Sequence, residues 1–254
     1  MYRRIHLLLL VCSPVAFAAG PCFAQDQDEF GRKLGAVEAL QRGTQTPLAL
    51  VQSQCDALLQ EYTAPEQQGR IYYQLVKSYG QARMSVNGHA AKVIEYAQKA
   101  LKCPLDPHLR LRLYGSWGAA IMLSDVTRPI PQCRAAAAAV YLRGLKEAKQ
   151  YNIPDVPPER PGAFFLKPGM DEETFKRERQ AHFKEVRRVD YVRSLYEDRV
   201  VLERQLLFYY SRKPRAPDEL RKLATEVFGA GPDAEKLMDA LAAKCERVDK
   251  RLEP

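Results

Sequence analysis

Histidine is scarce in this 254-residue chain, four in all, and tryptophan occurs once. His89, His108 and His182 stand apart from each other and from every cysteine, so no ligand set has the spacing that a structural or catalytic metal needs. HExxH, CxxC, GxSxG and phosphate-cradling glycine loops are all missing. The acid pairs Glu172/Glu173 and Asp26/Asp28 fall at a helix start and in a polar stretch, where the helix dipole and solvation account for them. No catalytic residue, metal ligand or cofactor is therefore expected. Sustained alternation of polar and apolar residues is missing too, which leaves strands absent or minor.

Long apolar runs are confined to the first residues. MYRRIH carries two arginines, LLLLVCSPVAFAA is a short greasy core, and small residues follow at AFA and CFA. That order is the one a secretory signal peptide needs, so residues 1–24 are expected to be a leader cleaved after Ala24 or, next, after Ala18. An uncleaved anchor is the alternative, although the run falls short of the ~20 residues that cross a bilayer comfortably. Pro21 before Cys22 disfavours a lipoprotein site. No later segment is apolar enough to span, and the expected location is the bacterial periplasm or cell envelope.

Losing the leader removes Arg3 and Arg4 and lowers the formal charge from +8 to +6, which still favours anionic partners. Outside the cytoplasm these are acidic peptides, polymers or lipid surfaces, and no nucleic-acid partner is expected. The basic cluster KRERQAHFKEVRR, Lys176 to Arg188, is interrupted by Glu178 and Glu185 and fits a solvated, ion-paired helix face. Four cysteines remain, Cys55, Cys103, Cys133 and Cys245, scattered through helical patterns as free, buried thiols.

What the sequence has in abundance is apolar residues at steps of three and four. After a polar lead-in at 25–44, Leu48, Val51, Cys55, Leu58, Leu59 and Tyr62 mark one helix, with Thr46 as its cap and Pro47 at its first position. Ile71, Tyr72, Leu75, Val76 and Tyr79 mark a second. Ala90, Val93, Ile94, Ala97 and Leu101 mark a third, reached through a turn short enough to force the pair antiparallel. Leu109, Leu113, Trp117, Ala120 and Ile121 give a fourth helix. The VTRPIP loop leads to a fifth, whose alanine run suits close helix packing. A proline-dense connection at 155–171 forbids regular helix. Residues 172–254 then supply one long helix of about forty residues, PDELRKLATEVFG, and a last helix with a seam at Leu237, Leu241, Cys245, Val248 and Leu252.

Tyr72, Leu75, Val76 and Tyr79, followed by Ala90, Ile94, Ala97 and Pro104, resemble a tetratricopeptide repeat. A looser second unit has Leu111, Tyr114, Gly115 and Gly118, then Ala137, Tyr141, Gly144 and Pro154. Val76 and Tyr114 stand where the family has small contacts. The resemblance covers about residues 66–154 and implies an all-α array of antiparallel helical hairpins, 45–154, with flanking helices covering the ends. In such an array one helix, about 24 Å long, separates Cys103 from Cys133, too far for a disulfide.

By position, the resemblance places Arg70, Tyr73, Lys77, Arg112 and Ser116 in a concave groove, where cations around an aromatic suit the carboxylate of an acidic peptide. The plain alternative is that they are ordinary exposed positions. The expected function is a non-enzymatic, exported scaffold that holds another protein. An envelope enzyme or polymer-binding protein and a self-associating structural protein are the alternatives left open.

Overall fold

The computed structural model describes residues 21–42, 47–82, 88–123, 130–165, 169–211 and 217–252. Thr46, most of the turn before His89, the VTRP loop residues, Lys167 and Pro168 lie outside the described residues, as does the leader as far as residue 20, including the Ala18 cleavage position.

Among the described residues the chain is all-helical, with nine α-helices, one 3-10 turn at Lys149–Tyr151 and no strand. The helices are α1 (Pro21–Arg42), α2 (Leu48–Glu61), α3 (Pro65–Gln81), α4 (His89–Leu101), α5 (Pro107–Leu123), α6 (Ile130–Ala148), α7 (Glu172–Ser211), α8 (Pro217–Phe228) and α9 (Pro232–Leu252). None is long and apolar enough to cross a membrane. Proline opens α3, α5, α8 and α9, where its missing N–H costs nothing and its fixed φ is already helical. Gly88, at φ 86°, turns the chain into α4, and Gly229, at φ 89°, closes α8.

Successive helices stack on one another: α2 on α3, α3 on α4, α4 on α5, and α5 on α6, with the α3–α4 and α5–α6 pairs the most intimate. On α2, α3 and α4 the stripes follow the predicted ones, whereas on α5 Leu113 and Ala120 are buried as expected, Leu109, Trp117 and Ile121 only partly, and Leu111 is buried beside them. Val51, Cys55 and Leu58 on α2, Ile71, Leu75 and Tyr79 on α3, and Val93, Ala97 and Ala100 on α4 share one core. Leu111, Ala137, Tyr141, Leu142 and Leu145 belong to a second, joined by Leu195, Leu202 and Leu206 of α7 and by Leu220, Met238 and Leu241 of α8 and α9. Each such leucine contributes roughly 1.5–3 kcal/mol by leaving water.

One feature of the packing differs from the sequence reading. The lead-in is not loose: Phe30, Leu34 and Val37, at steps of four and three on α1, are buried in the first core. The polar majority of that stretch conceals a stripe only three residues long. The segment after the proline-rich connection covers an end of the array, as expected of the flanking helices, α7 packing on α5 and α6, and α8 on α6. The connection itself is non-helical over 154–165, and its backbone carbonyls tie it to α7, Arg193 donating to the Pro158 carbonyl at 2.9 Å and Arg199 to that of Ile153 at 3.2 Å.

Glycines set how closely the second helix pair can approach. A Cβ at Gly118 would lie 2.2 Å from the ring of Tyr141, and one at Gly144 would lie 2.8 Å from Leu202 and 2.9 Å from Tyr114. The aromatic of α6 therefore sits directly on the backbone of α5, and Leu202 of α7 sits on that of α6.

Candidate functional site

The junction of α3, α5 and α7 carries the most connected charged chemistry. Asp106 caps α5, accepting the His108 backbone N–H at 2.9 Å, and this start fixes His108 and Arg112 one turn apart on the same side. Asp198, on the turn of α7 between Leu195 and Leu202, meets both. Its Oδ1 accepts a hydrogen bond from Arg112 Nε at 3.1 Å, and its Oδ2 lies 2.6 Å from His108 Nδ1, close but off the hydrogen-bonding axis. Asp198 is 8% exposed, so its charge is held by these partners rather than by water. Burial works against the Arg112 charge, but the Tyr73 hydroxyl and Asp198 outweigh it and the guanidinium pKa is raised. A polar chain, Tyr73–Arg112–Asp198–His108, thus ties three helices together.

The five residues expected to line a groove separate into two groups. Tyr73 and Arg112 come together, but Tyr73 is 8% exposed and Arg112 is engaged by the protein's own carboxylate. Arg70 is exposed and lies over the Phe30 ring of α1, 5.3 Å from its centroid. Lys77 and Ser116 are half-buried. The next turns of α3 beyond Arg70 are covered by α1: Gln41 donates to the Gln74 carbonyl at 2.9 Å and to Ser78 Oγ at 2.6 Å, and Gln74 donates to Glu38 at 2.6 Å. The cations that remain for a ligand are Arg70 and Lys77.

Beside the polar chain a cleft of about 390 Å³ is lined by Glu66, Arg70, Leu105, Asp106, His108 and Tyr191, among others. Tyr191 of α7 donates to both Asp106 oxygens, at 3.2 and 3.1 Å, and burial and that carboxylate push its phenol up to about 12. The described lining offers a histidine backed by a carboxylate but no serine, threonine or cysteine for it to activate.

A second network closes α5 on α6. Arg110 grips Glu147 through Nε and, at 3.1 Å, through Nη2, and its Nη1 donates to the Leu101 and Cys103 carbonyls, both at 3.1 Å. The Tyr114 and Tyr151 hydroxyls also donate to Glu147, the former at 2.9 Å. Burial would raise the Glu147 pKa, but Arg110, Tyr151 and Tyr114 hold it below the usual carboxylate range. Four of the Arg110 N–H groups and both tyrosine hydroxyls are engaged here, so the cluster locks the end of α4 to the α5–α6 pair.

The sequence pointed to neither His108 nor Asp198 as a pair, since they lie ninety residues apart. One signal was available: an acid at the middle of the Leu195, Asp198, Leu202 stripe is an ionised group on an apolar row, which must find a partner.

Comparison with known proteins returned no match: no family model fits the chain, and no curated protein and no solved structure resembles it. What the fold defines is a class, a protein all-helical among the described residues whose long helix α7 packs against its own α5–α6 pair.

Proposed function

We propose that the protein is a non-catalytic, exported scaffold whose tetratricopeptide-like hairpins hold an acidic segment of another protein at the bacterial cell envelope. One observation carries this reading. The α5–α6 pair accepts a helix, α7, through the Asp198 carboxylate on Arg112 and through Leu195, Leu202 and Leu206, of which Leu202 lies against Gly144. An acidic partner segment would use the same anchoring on the neighbouring cations, Arg70 and Lys77. Charge-assisted hydrogen bonds would orient it, and the cleft beside Arg70 would take an apolar side chain.

The test is charge reversal at Arg70 and Lys77. Arg112→Glu is unsuitable, since it would set two carboxylates face to face with Asp198. Immobilised protein carrying Arg70→Glu and Lys77→Glu is compared with wild type for capture from envelope extract, with melting curves as a control. The expected result is a partner retained by wild type and lost by the variant at unchanged stability. Equal capture by both, or no specific capture by wild type, contradicts the proposal. The compartment is tested separately: the N-terminus of the cellular protein is expected at Gln25, and an intact Met1 in the cytosolic fraction contradicts export.

A further inference from the structure

The outer half of α7 carries surface chemistry that the scaffold reading does not use. From Val189 onward α7 turns buried residues into the core, but between Glu172 and Arg188 none is buried. On this half Lys176, Arg179, Gln180, Phe183 and Arg187 fall at steps of three and four, and Arg177 and Lys184 flank the same side. Between Lys176 and Arg188 six cations stand against two acids. Some are engaged within the helix: Lys176 with Glu172 at 2.6 Å, Arg188 with Glu185 at 2.7 Å, and Arg179 over the Phe183 ring at 5.5 Å. Arg177, Lys184 and Arg187 are exposed and project into solvent.

Aromatic side chains stand among these charges. Phe164 of the proline-rich connection packs on Phe175, centroids 5.6 Å apart, and on His182 at 5.4 Å, which fixes the connection against the helix. Its neighbour Phe165 is left 74% exposed, and Phe183, which touches His182 at 5.9 Å, is 47% exposed. Two phenylalanines in water beside a band of cations about 16 Å long are unfavourable for an isolated surface and complementary to an anionic interface. The rings suit the boundary between headgroups and acyl chains, while arginine and lysine stems lie along it with their charges on lipid phosphates.

We propose that the outer half of α7, Arg177, Lys184 and Arg187 with Phe183, together with the adjoining exposed Phe165 of the connection, seats the protein peripherally on an anionic phospholipid surface. Charge complementarity selects the lipid, and the exposed aromatics favour a bilayer over a soluble acidic polymer, which offers no apolar layer to receive them. The contact lies on the outer half of α7, separate from Arg70 and Lys77, so loss of partner capture and loss of lipid binding are distinguishable.

The test is flotation of the purified protein without its leader, Gln25 to Pro254, with vesicles of phosphatidylcholine alone and with vesicles of equal parts phosphatidylcholine and phosphatidylglycerol. Phosphatidylglycerol is expected to add binding that falls with salt. Each cation neutralised is expected to weaken that added binding about fivefold, so Arg177→Gln/Lys184→Gln/Arg187→Gln loses on the order of a hundredfold. Phe165→Ser/Phe183→Ser loses about tenfold, with the circular dichroism of both variants unchanged. Equal binding to the two vesicle types overturns the proposal. So does a phenylalanine variant that binds as well as wild type, or retention on immobilised polyglutamate without vesicle binding.

Discussion

Two glycines one turn apart on α5 predict opposite responses to the same substitution. At Gly118 a new methyl would sit 2.2, 2.4 and 2.8 Å from three ring carbons of Tyr141, against a normal carbon–carbon separation of about 3.5–4.0 Å. That ring is 4% exposed and lies in the second core, so it has nowhere to go. Overpacking of this severity costs about 3 kcal/mol, and exchanging glycine for alanine within a helix returns about 1 kcal/mol, for a net loss of about 2 kcal/mol. At Gly115 the nearest atom, Leu202 Cδ2, is at 3.8 Å, an ordinary contact, so Gly115→Ala keeps the helix gain of up to about 1 kcal/mol. In a chain of this size, thermal unfolding followed by far-UV circular dichroism should show Gly118→Ala melting about 4–8 °C below wild type and Gly115→Ala about 2–4 °C above. Adding Tyr141→Leu should make the Gly118→Ala loss smaller than the two single effects combined. Equal stabilisation by both alanines would refute the close approach of α5 and α6.

Further outcomes follow from the polar networks and the thiols. Asp198→Ala leaves Arg112 and His108 without their shared anion; because Arg112 is half exposed the cost is discounted to about 1–2 kcal/mol, read as a lower urea midpoint, and no change contradicts the α5–α7 link. Glu147→Gln should cost about 2 kcal/mol near neutral pH. The Glu147 pKa is lowered on folding, so the stability that its charge contributes is complete above the ordinary value of 4.5 and lost as pH falls below it. The gap between wild type and Glu147→Gln should therefore close below pH 4.5, and a gap constant with pH contradicts the network. Cys55 is buried, with its thiol pushed up to about 12, whereas Cys103 is only partly buried. Peptide-mapped alkylation of native protein should modify Cys103 roughly tenfold or more faster than Cys55, and comparable rates contradict the packing of α2.

Helix positions were legible because the apolar stripes are regular and proline punctuates them. Pro47, Pro65, Pro107, Pro217 and Pro232 each stand at or immediately before a helix start. The packing of α1 was not legible, since Phe30, Leu34 and Val37 are a short stripe among charges and bury only because α2 and α3 are there to receive them. That the C-terminal helices cover an end of the array was expected, but not which residues of α7 do so, because the prolines at 154–161 say where a chain stops coiling and nothing of the register in which it returns. The candidate site was half legible. Tyr73 and Arg112 do meet, as helices packed side by side require, but the carboxylate that engages Arg112 comes from Asp198, and a contact across that separation leaves no local pattern. His108 stands apart from other histidines and from cysteines in the sequence; Asp106 caps its helix and its imidazole faces α7.

One measurement reaches the central claim, that a single helix serves as core at one end and as surface at the other. Hydrogen–deuterium exchange resolved along α7 should show residues 195–206 protected to the level of α5 and residues 172–188 exchanging much faster. Uniform protection along the helix, or fast exchange around Asp198 and Leu202, would contradict it.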